Sequence, residues 1–433
     1  MFKNNFSLLI CRYSRRFIQN SANENLLNNE EQLSELLPSK IYKKRQRTPE
    51  AFYLANQKGA DIIADALKPH ISAESTLLEF NPGIGLMTQK FVDWKLFKKI
   101  ILIEQTKLNN KRLINICQQN NQECSLKRGD FINLWKIVFQ DKIDDGSRVA
   151  NLLADVPKKL YADDPNMVVF GAVGSYVFFK HLINSIVFQN SLFSFGRSEL
   201  YLVMPPAIYV HLTCSNEIGY MIYRSSSMLF QMMFEHKFIT KLPREYFLPR
   251  QAEYKFKKSG KLDKVNSINP DGLYLVKIVP RRNFYEFCAP ADVQALWYFV
   301  KQNCVSRRNR IIPNLEKYVP GCGPRLIVQS KPPTPVKLMY PNETSNFLPK
   351  YSTNCVEISN ECFFPNLNIH TEFGDLTPNQ MLTLFCQFRN WPEYKDSSFL
   401  ASLENSLLKL EASVDGNVDV LEVPEEDDVT IVQ

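Results

Sequence analysis

The stretch from Thr76 to Thr88 constrains the fold of this chain more than any other part of the sequence. It begins with a short apolar run, reaches an acidic residue at Glu79 and then breaks into a turn that contains Gly83 and Gly85. Glycines let the backbone of such a turn approach a bound ligand closely, and the following helix points free N–H groups back at that ligand. The pattern predicts a strand, a turn and a helix, with a ligand site at the turn.

A Gly-x-Gly turn is weak evidence by itself. It indicates a nucleoside-binding unit more specifically when an acidic residue ends a second strand about 20 residues further on. Glu104 ends the run Lys99–Ile103 at this spacing, and Asp130 ends a third short segment. Because the carboxyl ends of parallel strands meet at one edge of a sheet, we expect Glu79, Glu104 and Asp130 to line one crevice. Each alone is also explained as a loop carboxylate or a helix cap. Together they favour an adenosine-containing ligand, with Glu104 accepting from ribose hydroxyls and Asp130 from an exocyclic amine.

Apolar segments alternate with amphipathic ones over the first half of the chain. This alternation argues for a parallel, doubly wound sheet. The predicted elements are strands at Thr76–Glu79, Lys99–Glu104, Ser125–Asp130, Asn166–Phe170 and Glu199–Met204, with helices at Leu86–Trp94 and Val177–Phe188. Beyond Pro205, residues Tyr209–Phe234 are predicted to be mostly helical, and Gly272–Pro280 is predicted to be a strong strand.

Two helix starts carry capping signals. Thr48 followed by Pro49 predicts the start of a helix that runs on towards Leu67, and Thr377 followed by Pro378 predicts another. Amphipathic patterns over Val293–Cys304 and Phe399–Leu410 make the C-terminal part helical.

Composition limits the function classes only mildly. Lys and Arg total 52 against 45 for Asp and Glu, a net charge of +7 that fits a polyanionic partner but also occurs in proteins that bind none. Apolar runs stay well short of the roughly 18 residues of a membrane span, so we expect a soluble or peripheral protein with no membrane partner. The 10 Cys are scattered without zinc spacing and are predicted to be reduced, mostly buried thiols, with no metal site.

Both ends of the chain differ from the body. Residues 1–22 hold four basic and no acidic residues among apolar, Ser and Asn positions, which is typical of a mitochondrial transit peptide; a disordered basic tail is the alternative. Residues 23–47 form a basic N-terminal extension that ends in Lys43, Lys44, Arg45 and Arg47. Residues 411–433 form an acidic tail that is predicted to be disordered.

The Gly turn and its acidic partners occur in a recognisable order. The pattern Glu79-x-x-Pro-Gly83-x-Gly85-x-x-Thr, then Glu104, then Gly-Asp130-Phe, resembles the rRNA adenine dimethyltransferase family over roughly residues 50–282. The resemblance implies an α/β fold: a Rossmann-like class I methyltransferase sheet over residues 48–285 and a smaller helical C-terminal domain over 286–410. It also implies S-adenosylmethionine as the cofactor, with Gly83 and Gly85 near the methionine part, Glu104 at the ribose and Asp130 at the adenine.

The catalytic motif of the family departs from the pattern. It is Asn-Leu-Pro-Tyr after the fourth strand, whereas this chain has Ala172-Val173-Gly174-Ser175. Methyl transfer to adenine N6 needs a side-chain amide and a backbone carbonyl to accept from the amino group, with an aromatic face to hold the extruded base. Ala172 offers no side-chain acceptor, and Tyr176 stacks a base only if the register slips by one. We therefore assign no catalytic residue, and the sequence leaves open whether the cofactor still binds or its crevice is vestigial.

This combination resembles the branch of the family adapted as mitochondrial transcription factor B. The resemblance implies a location in the matrix nucleoid and a factor that assists mitochondrial RNA polymerase in promoter melting and open-complex stabilisation. The alternatives are a mitochondrial small-subunit rRNA adenine N6-dimethyltransferase and an assembly protein that binds rRNA without modifying it. The candidate contacts to melted promoter strands are Lys43, Lys44, Arg45, Arg47, Arg281, Arg282, Arg307, Arg308 and Arg310.

Overall fold

The computed structural model describes residues 49–106, 110–118, 123–217, 219, 222–250, 271–327 and 367–412. The predicted transit peptide, the basic extension with its four candidate residues, and the acidic tail from residue 413 onward lie outside the described residues. Among the described helices, none combines the length and the apolar character that crossing a bilayer demands.

Strands and helices alternate through the first two thirds of the described chain. The strands are β1 (Tyr53–Leu54), β2 (Ser75–Phe80), β3 (Phe97–Glu104), β4 (Glu123–Arg128), β5 (Met167–Ala172), β6 (Ser198–Met204), β7 (Phe234–Pro243), β8 (Phe247–Leu248) and β9 (Gly272–Pro280).

The helices up to the last strand lie between these strands. They are α1 (Gln57–Leu67), α2 (Leu86–Trp94), α3 (Asn110–Gln118), α4 (Leu134–Asp144), α5 (Arg148–Leu152), α6 (Tyr176–Val187), α7 (Pro206–Thr213) and α8 (Ser225–Met233). The helices after the last strand are α9 (Phe284–Phe287), α10 (Val293–Asn303), α11 (Ile311–Tyr318), α12 (Cys322–Ile327), α13 (Pro378–Arg389) and α14 (Ser398–Ala412).

A seven-stranded sheet in the order β4-β3-β2-β5-β6-β9-β7 forms the centre of the described chain. The strands from β4 to β6 are parallel, whereas β9 and β7 join antiparallel at one side. The strand order reverses between β2 and β5, and a doubly wound sheet binds ligands at the carboxyl edge beside such a point. The predicted parallel sheet and the predicted strand Gly272–Pro280 are confirmed.

The segment after Pro205 differs from the prediction of one long helical stretch. Helices α7 and α8 are separate, and Phe234 begins a ten-residue strand, β7, that pairs along the whole of β9. The sequence of β7 contains Glu235, His236 and Lys237 near its start, so neither strand alternation nor a continuous apolar run marks it. Its pairing with the strongly apolar β9 decides its conformation.

The start of the first helix also differs from the prediction. Helix α1 begins at Gln57, and the side chain of Asn56 caps it by accepting from the backbone N–H groups of Lys58 and Gly59. The chain before it is extended, because Ala51 pairs with Val173 and β1 pairs antiparallel with β8. The predicted start at Thr48 and Pro49 is therefore wrong, since long-range pairing overrides the local cap signal.

Two apolar clusters cover the two faces of the sheet. Alternation along β2 places Leu77 in one cluster and Leu78 in the other. The cluster that contains Leu78 continues without a break into the helices after β9, where Trp297 and Phe385 are fully buried. The C-terminal helices therefore share a core with one face of the sheet, while α1 and α2 cover the opposite face.

The predicted cap at Thr377 is confirmed. Its side chain accepts from the backbone N–H of Gln380, and the Gln380 side chain accepts from the Thr377 N–H at 2.9 Å. The prediction that all cysteines are reduced is wrong at one pair, because Cys117 and Cys124, whose Cα atoms are 5.6 Å apart, form a disulfide. The division into domains at residue 285 stays a prediction.

Candidate functional site

The three acidic residues of the sequence pattern lie at the carboxyl ends of neighbouring strands. Glu79 is the penultimate residue of β2, Glu104 is the last of β3, and Asp130 follows β4 by two residues. Parallel pairing of these strands brings the groups to one edge of the sheet. The Gly83 N–H donates to Oε2 of Glu104 at 3.0 Å, so the turn after β2 is joined directly to the end of β3.

The turn between β2 and α2 requires glycine for two different reasons. Gly83 and Gly85 have φ angles of +60° and +79°, which side chains of L-residues rarely adopt. A Cβ atom at Gly85 would lie 2.8 Å from Cδ1 of Ile116 and 3.0 Å from Cδ2 of Leu113. The turn is thus held between the end of β3 and helix α3, and α2 starts immediately after it.

Glu104 is almost fully buried, with 1% of its surface exposed. Besides Gly83, it accepts from the backbone N–H of Thr106 at 2.9 Å and from its hydroxyl at 2.8 Å. Burial raises the pKa of Glu104, and these hydrogen bonds act in the opposite direction. These hydrogen bonds therefore fix the orientation of the Glu104 carboxylate beside the turn.

Glu79 lies beneath the turn. Its Oε2 accepts from the hydroxyl of Thr88 in α2 at 2.7 Å. Burial raises the pKa of Glu79 to about 8, the Thr88 hydrogen bond opposes this shift, and the nearby Glu104 adds to it. Glu79 therefore carries a proton over much of the neutral range and connects β2 to the helix after the turn.

Asp130 is partly exposed and forms part of a polar network. Its two oxygens accept from the backbone N–H of Asn133 at 3.1 Å, from the Asn133 side chain at 2.9 Å and from the Gln105 side chain at 3.1 Å. The Asn133 amide also donates to Glu50 at 3.3 Å. This network joins the end of β4 to the N-terminal segment before β1.

Two residues of the site were missed by the sequence analysis. The Tyr53 ring lies over Gly83, with Cδ1 3.1 Å from where a Cβ of that glycine would stand. Burial raises the pKa of Tyr53, and Glu104 and Asp130 raise it further, so its phenol lies near both carboxylates. Asn81 has a φ of +50° and is 8% exposed, and no described residue bonds its buried Oδ1. The only signal for Asn81 was its place between a strand and a glycine turn.

The segment after β5 lies at the same edge of the sheet, and its backbone groups are bonded to other parts of the protein. The Ala172 carbonyl accepts from the backbone N–H of Phe52 at 3.3 Å, and the Gly174 N–H donates to the Glu50 carbonyl at 2.8 Å. Val173 donates to the Val203 carbonyl at 2.8 Å. The backbone of this segment is therefore bonded to the N-terminal segment and to β6.

Tyr176, which would stack a base only if the register slips by one, contacts two other helices of the fold. Tyr176 is the first residue of α6, and its hydroxyl donates to Ser226 at 2.5 Å. Its ring meets His211 at a centroid distance of 4.8 Å in an edge-on arrangement. Tyr176 thus contacts α7 and the start of α8.

A family model described as Ribosomal RNA adenine dimethylase matches residues 43–322. This chain belongs to the ribosomal RNA adenine dimethylase family. A relative in Drosophila melanogaster, Dimethyladenosine transferase 2, mitochondrial, is 54% identical over 396 residues, covering 90% of this chain and 88% of that protein. Its Mus musculus counterpart is 23% identical over 286 residues, covering 64% and 70%. A crystal structure of a dimethyladenosine transferase from Plasmodium falciparum is 14% identical with a TM-score of 0.44, covering 77% of this chain and 96% of that one.

Membership of the adenine dimethylase family confirms the Rossmann-like methyltransferase fold. The chemistry of the turn fits the cofactor of this family, S-adenosylmethionine. The buried Oδ1 of Asn81 has an acceptor position to spare, and Glu104 retains acceptor capacity beside the turn. The family motif after β5 is not matched, because Ala172 stands where a side-chain amide is expected.

The basic residues of the sequence pattern fall into different environments. Arg281 is 1% exposed, donates through Nε to the Gln231 carbonyl at 3.1 Å, and lies 3.7 Å from Glu235. Arg282 has 65% of its side chain exposed. Both follow β9, which runs antiparallel to β6, so they lie at the sheet edge opposite the glycine turn. Arg281 therefore has a structural role in this fold, whereas the largely exposed Arg282 lies 3.7 Å from Asp164.

The remaining arginines lie after α10. Arg307 is partly buried and 3.7 Å from Asp375, while Arg308 and Arg310 are exposed. Arg310 pairs with Glu372 through a β-bridge, which connects this loop to the one before α13.

Proposed function

We propose that this protein is a mitochondrial transcription initiation factor, equivalent to the second paralogue of mitochondrial transcription factor B. It assists mitochondrial RNA polymerase in melting promoter DNA and in stabilising the open complex. One observation carries the proposal: the segment after β5, where the family transfers methyl groups, has Ala172 in place of an amide and has its backbone bonded within the protein.

The chemistry of N6 methylation explains why this observation matters. The adenine amino group must donate to acceptors that are aligned with the methyl donor, and an aromatic face must hold the extruded base. Ala172 has no acceptor beyond its carbonyl, which accepts from Phe52, and Tyr176 is engaged with Ser226 and His211. We therefore assign no catalytic residue to the chain.

The names of the relatives support the location. The Drosophila melanogaster protein is named mitochondrial and is 54% identical, and both it and the mouse protein carry the number 2. We place this chain in the mitochondrial matrix, at the nucleoid, with residues 1–22 as its transit peptide.

The cofactor crevice is retained as a binding site in this proposal. Gly83, Gly85 and Asn81 would hold the methionine part of S-adenosylmethionine, Glu104 the ribose, and Asp130 the adenine. The bound cofactor supplies an electrophilic methyl group in this family. Glu79 acts beneath the turn, where its bond to Thr88 holds α2 in place.

Melting requires the separated strands to be stabilised against stacking of about 1.4 kcal/mol per base step. Basic side chains that follow the backbone and aromatic side chains that stack on unpaired bases supply such energy, at roughly 1–3 kcal/mol per stacked base. The exposed Arg308 and Arg310 are our candidates, together with Arg282, which lies 3.7 Å from Asp164. The sequence adds the four basic residues before Thr48. Arg281 is buried in the fold and is bonded to the Gln231 carbonyl.

The second candidate function is that of a mitochondrial small-subunit rRNA adenine N6-dimethyltransferase. The family match and the names of the relatives favour it. In this case rRNA is the partner, and S-adenosylmethionine is consumed during turnover.

Reconstituted transcription separates the two functions. The full-length protein, mitochondrial RNA polymerase and a closed promoter should give initiation that is lost without the protein, and a pre-melted promoter should largely remove the requirement. The same preparation should give no turnover on a small-subunit rRNA hairpin with labelled S-adenosylmethionine. Robust methyl transfer, or equal dependence on the protein with the pre-melted promoter, would refute the proposed function.

A further inference from the structure

Helix α4 carries large apolar side chains on its outer side. Trp135, Phe139 and Ile143 are four residues apart, so helical geometry puts them along one side of α4. Trp135 and Phe139 are partly exposed, and Ile143 is 62% exposed. On the opposite side, Leu134 belongs to one of the two apolar clusters of the sheet and Ile137 packs against it. Neither cluster includes the three outer residues in the part of the chain that the structure describes.

Trp135 is held in a defined orientation at the start of α4. Its indole Nε1–H donates to Oδ1 of Asn133 at 3.2 Å. The Asn133 amide donates in turn to Asp130 at 2.9 Å and to Glu50 at 3.3 Å. Because Asp130 lies at the carboxyl edge of the sheet, the first turn of α4 lies beside the candidate cofactor site. A ring that is already fixed loses little side-chain entropy when a ligand packs against it.

A lysine accompanies this ring. Nζ of Lys136 lies 5.2 Å from the centroid of the Trp135 ring. Lys136 is exposed and forms no ion pair with any residue that the structure describes. The carboxylates of Asp141 and Asp144, further along α4, are paired with Arg148 at 3.0 and 2.5 Å. The Lys136 ammonium therefore retains donors for an anion from outside.

These side chains match the chemistry of a single nucleic-acid strand. Exposed aromatic rings stack on unpaired bases of any sequence, and a neighbouring cation contacts a phosphate of the same strand. A protein partner would use apolar area of any kind, so that Ile143 would matter as much as the rings. The unpaired lysine placed against the Trp135 ring favours the nucleic acid.

We propose that Trp135, Lys136 and Phe139, which we name the α4 aromatic face, bind single-stranded DNA. Trp135 and Phe139 stack on unpaired bases, and Lys136 contacts a phosphate. This inference deepens the proposed function and rests on it for the source of the strand, which is a melted promoter. The strand passes beside the carboxyl edge of the sheet, and its contacts are additional to those of the basic residues named from the sequence.

The test measures binding of a fluorescent single-stranded DNA of about 16 nucleotides to the full-length protein over a range of salt concentrations. Trp135→Ala should weaken binding about tenfold, because one stacked base is lost, and should leave the slope of log K against log salt unchanged. Lys136→Ala should weaken binding about threefold at about 0.1 M salt and reduce that slope by about 0.7. The two variants therefore separate the base contact from the phosphate contact.

Two further variants of Trp135 distinguish stacking from apolar contact. Trp135→Phe should bind within about threefold of the wild type because it retains an aromatic face, whereas Trp135→Leu should bind as weakly as Trp135→Ala. The loss in Trp135→Ala should disappear on a strand of abasic sites of the same length, which offers phosphates but no bases.

Matched controls come from the same helix and from the opposite edge of the sheet. Ile143→Ala removes an exposed apolar side chain of α4 that has no ring, and Lys68→Ala removes an exposed lysine that precedes β2. Both variants should bind within about twofold of the wild type. Thermal unfolding shows whether each variant keeps the fold.

Three outcomes would overturn the proposal. They are wild-type affinity in a folded Trp135→Ala protein, wild-type affinity in Trp135→Leu, and a loss that is confined to single-stranded RNA of the same sequence. If Trp135→Ala does not fold, the comparison of Trp135→Phe with Trp135→Leu decides the same question.

Failure of the proposed function gives a different pattern from failure of the α4 aromatic face. If the wild type does not support promoter-dependent initiation but Trp135→Ala still weakens DNA binding, the transcription role is wrong and the aromatic face stands. If the wild type supports initiation and folded Trp135→Ala matches it in DNA binding, the aromatic face is wrong and the transcription role stands.

Discussion

The turn after β2 and the segment after β5 lie at one edge of the same sheet but differ in the polar groups that they leave unbonded. At the first, the N–H groups of Gly83 and Gly85 are bonded to Glu104 and to the Pro82 carbonyl, but the buried Oδ1 of Asn81 has no bonded partner among the described residues. At the second, the Ala172 carbonyl and the Gly174 N–H are both bonded to the N-terminal segment. The turn therefore keeps an unbonded side-chain acceptor, whereas the backbone groups after β5 are bonded within the protein.

This difference teaches that binding and chemistry are separable parts of the family fold. In the proposed function, the groups that recognise a nucleoside come from the ends of β2, β3 and β4, whereas the family motif for methyl transfer follows β5. A chain can therefore lose the second set and retain the first, because each set is held by different strands. The substitutions below test whether the two sites are as different as their contacts indicate.

Gly174→Ala should have the largest effect. The new Cβ would overlap the Pro49 carbonyl oxygen and lie 2.8 Å from Cε2 of Phe52, so the N-terminal segment must move and lose its pairing. We expect a loss of about 3 kcal/mol in the free energy of unfolding, measured by urea denaturation. A loss under about 1 kcal/mol would show that the segment after β5 is not locked by its neighbours.

Gly85→Ala should lower the free energy of unfolding by about 2–3 kcal/mol. The alanine would have to adopt a left-handed φ, and its Cβ would crowd Ile116 and Leu113. Gly321→Ala provides the control, because Gly321 has a φ of +83° and a Cβ there meets no atom within 4 Å. It should cost only about 1 kcal/mol, the strain alone. Equal losses in the two variants would mean that packing of α3 on the turn contributes nothing.

Glu79→Gln should remove a pH dependence. The pKa of Glu79 is raised from 4.5 to about 8, so the native state holds a proton that the unfolded chain releases between these values. Its contribution to stability is therefore full below about pH 4.5 and is lost as pH rises towards 8. The variant should match the wild type at pH 5 and exceed it by about 1–3 kcal/mol at pH 8 in urea unfolding. The same difference in unfolding free energy between the variant and the wild type at pH 5, 6.5 and 8 would contradict this prediction.

Ala172→Asn should have the smallest effect on activity. It restores the amide of the family motif, but the carbonyl of residue 172 still accepts from Phe52, and Gly174 still replaces the proline. We expect methyl transfer to a small-subunit rRNA hairpin to stay at the background of the wild type. Turnover well above that background would favour the dimethyltransferase as the ancestral function still present in this chain.

Local signals predicted the glycine-turn region well. The helix Leu86–Trp94 has the predicted bounds, and the acidic residues at three strand ends come together as the parallel pattern requires. The cap at Thr377 was predictable for a similar reason, since both partners of the capping box lie within four residues.

Features that depend on distant contacts were not predictable. The extended segment before α1 is held by Val173 and Leu248, which no local pattern around Thr48 reveals. The burial of Arg281 depends on the Gln231 carbonyl and on Glu235 in β7, a strand that the sequence did not show. Tyr53 belongs to the site because β1 passes over Gly83, a contact set by the fold as a whole.

The apolar cluster that runs from Leu78 of the sheet to Phe385 of α13 limits which substitutions the protein can tolerate. Because buried residues on both sides stabilise one another, the sheet and the C-terminal helices should melt in a single cooperative transition. Deleting the helices would expose the large side chains that cover one face of the sheet. Substitutions in the C-terminal helices are therefore constrained by the stability of the sheet that carries the glycine turn.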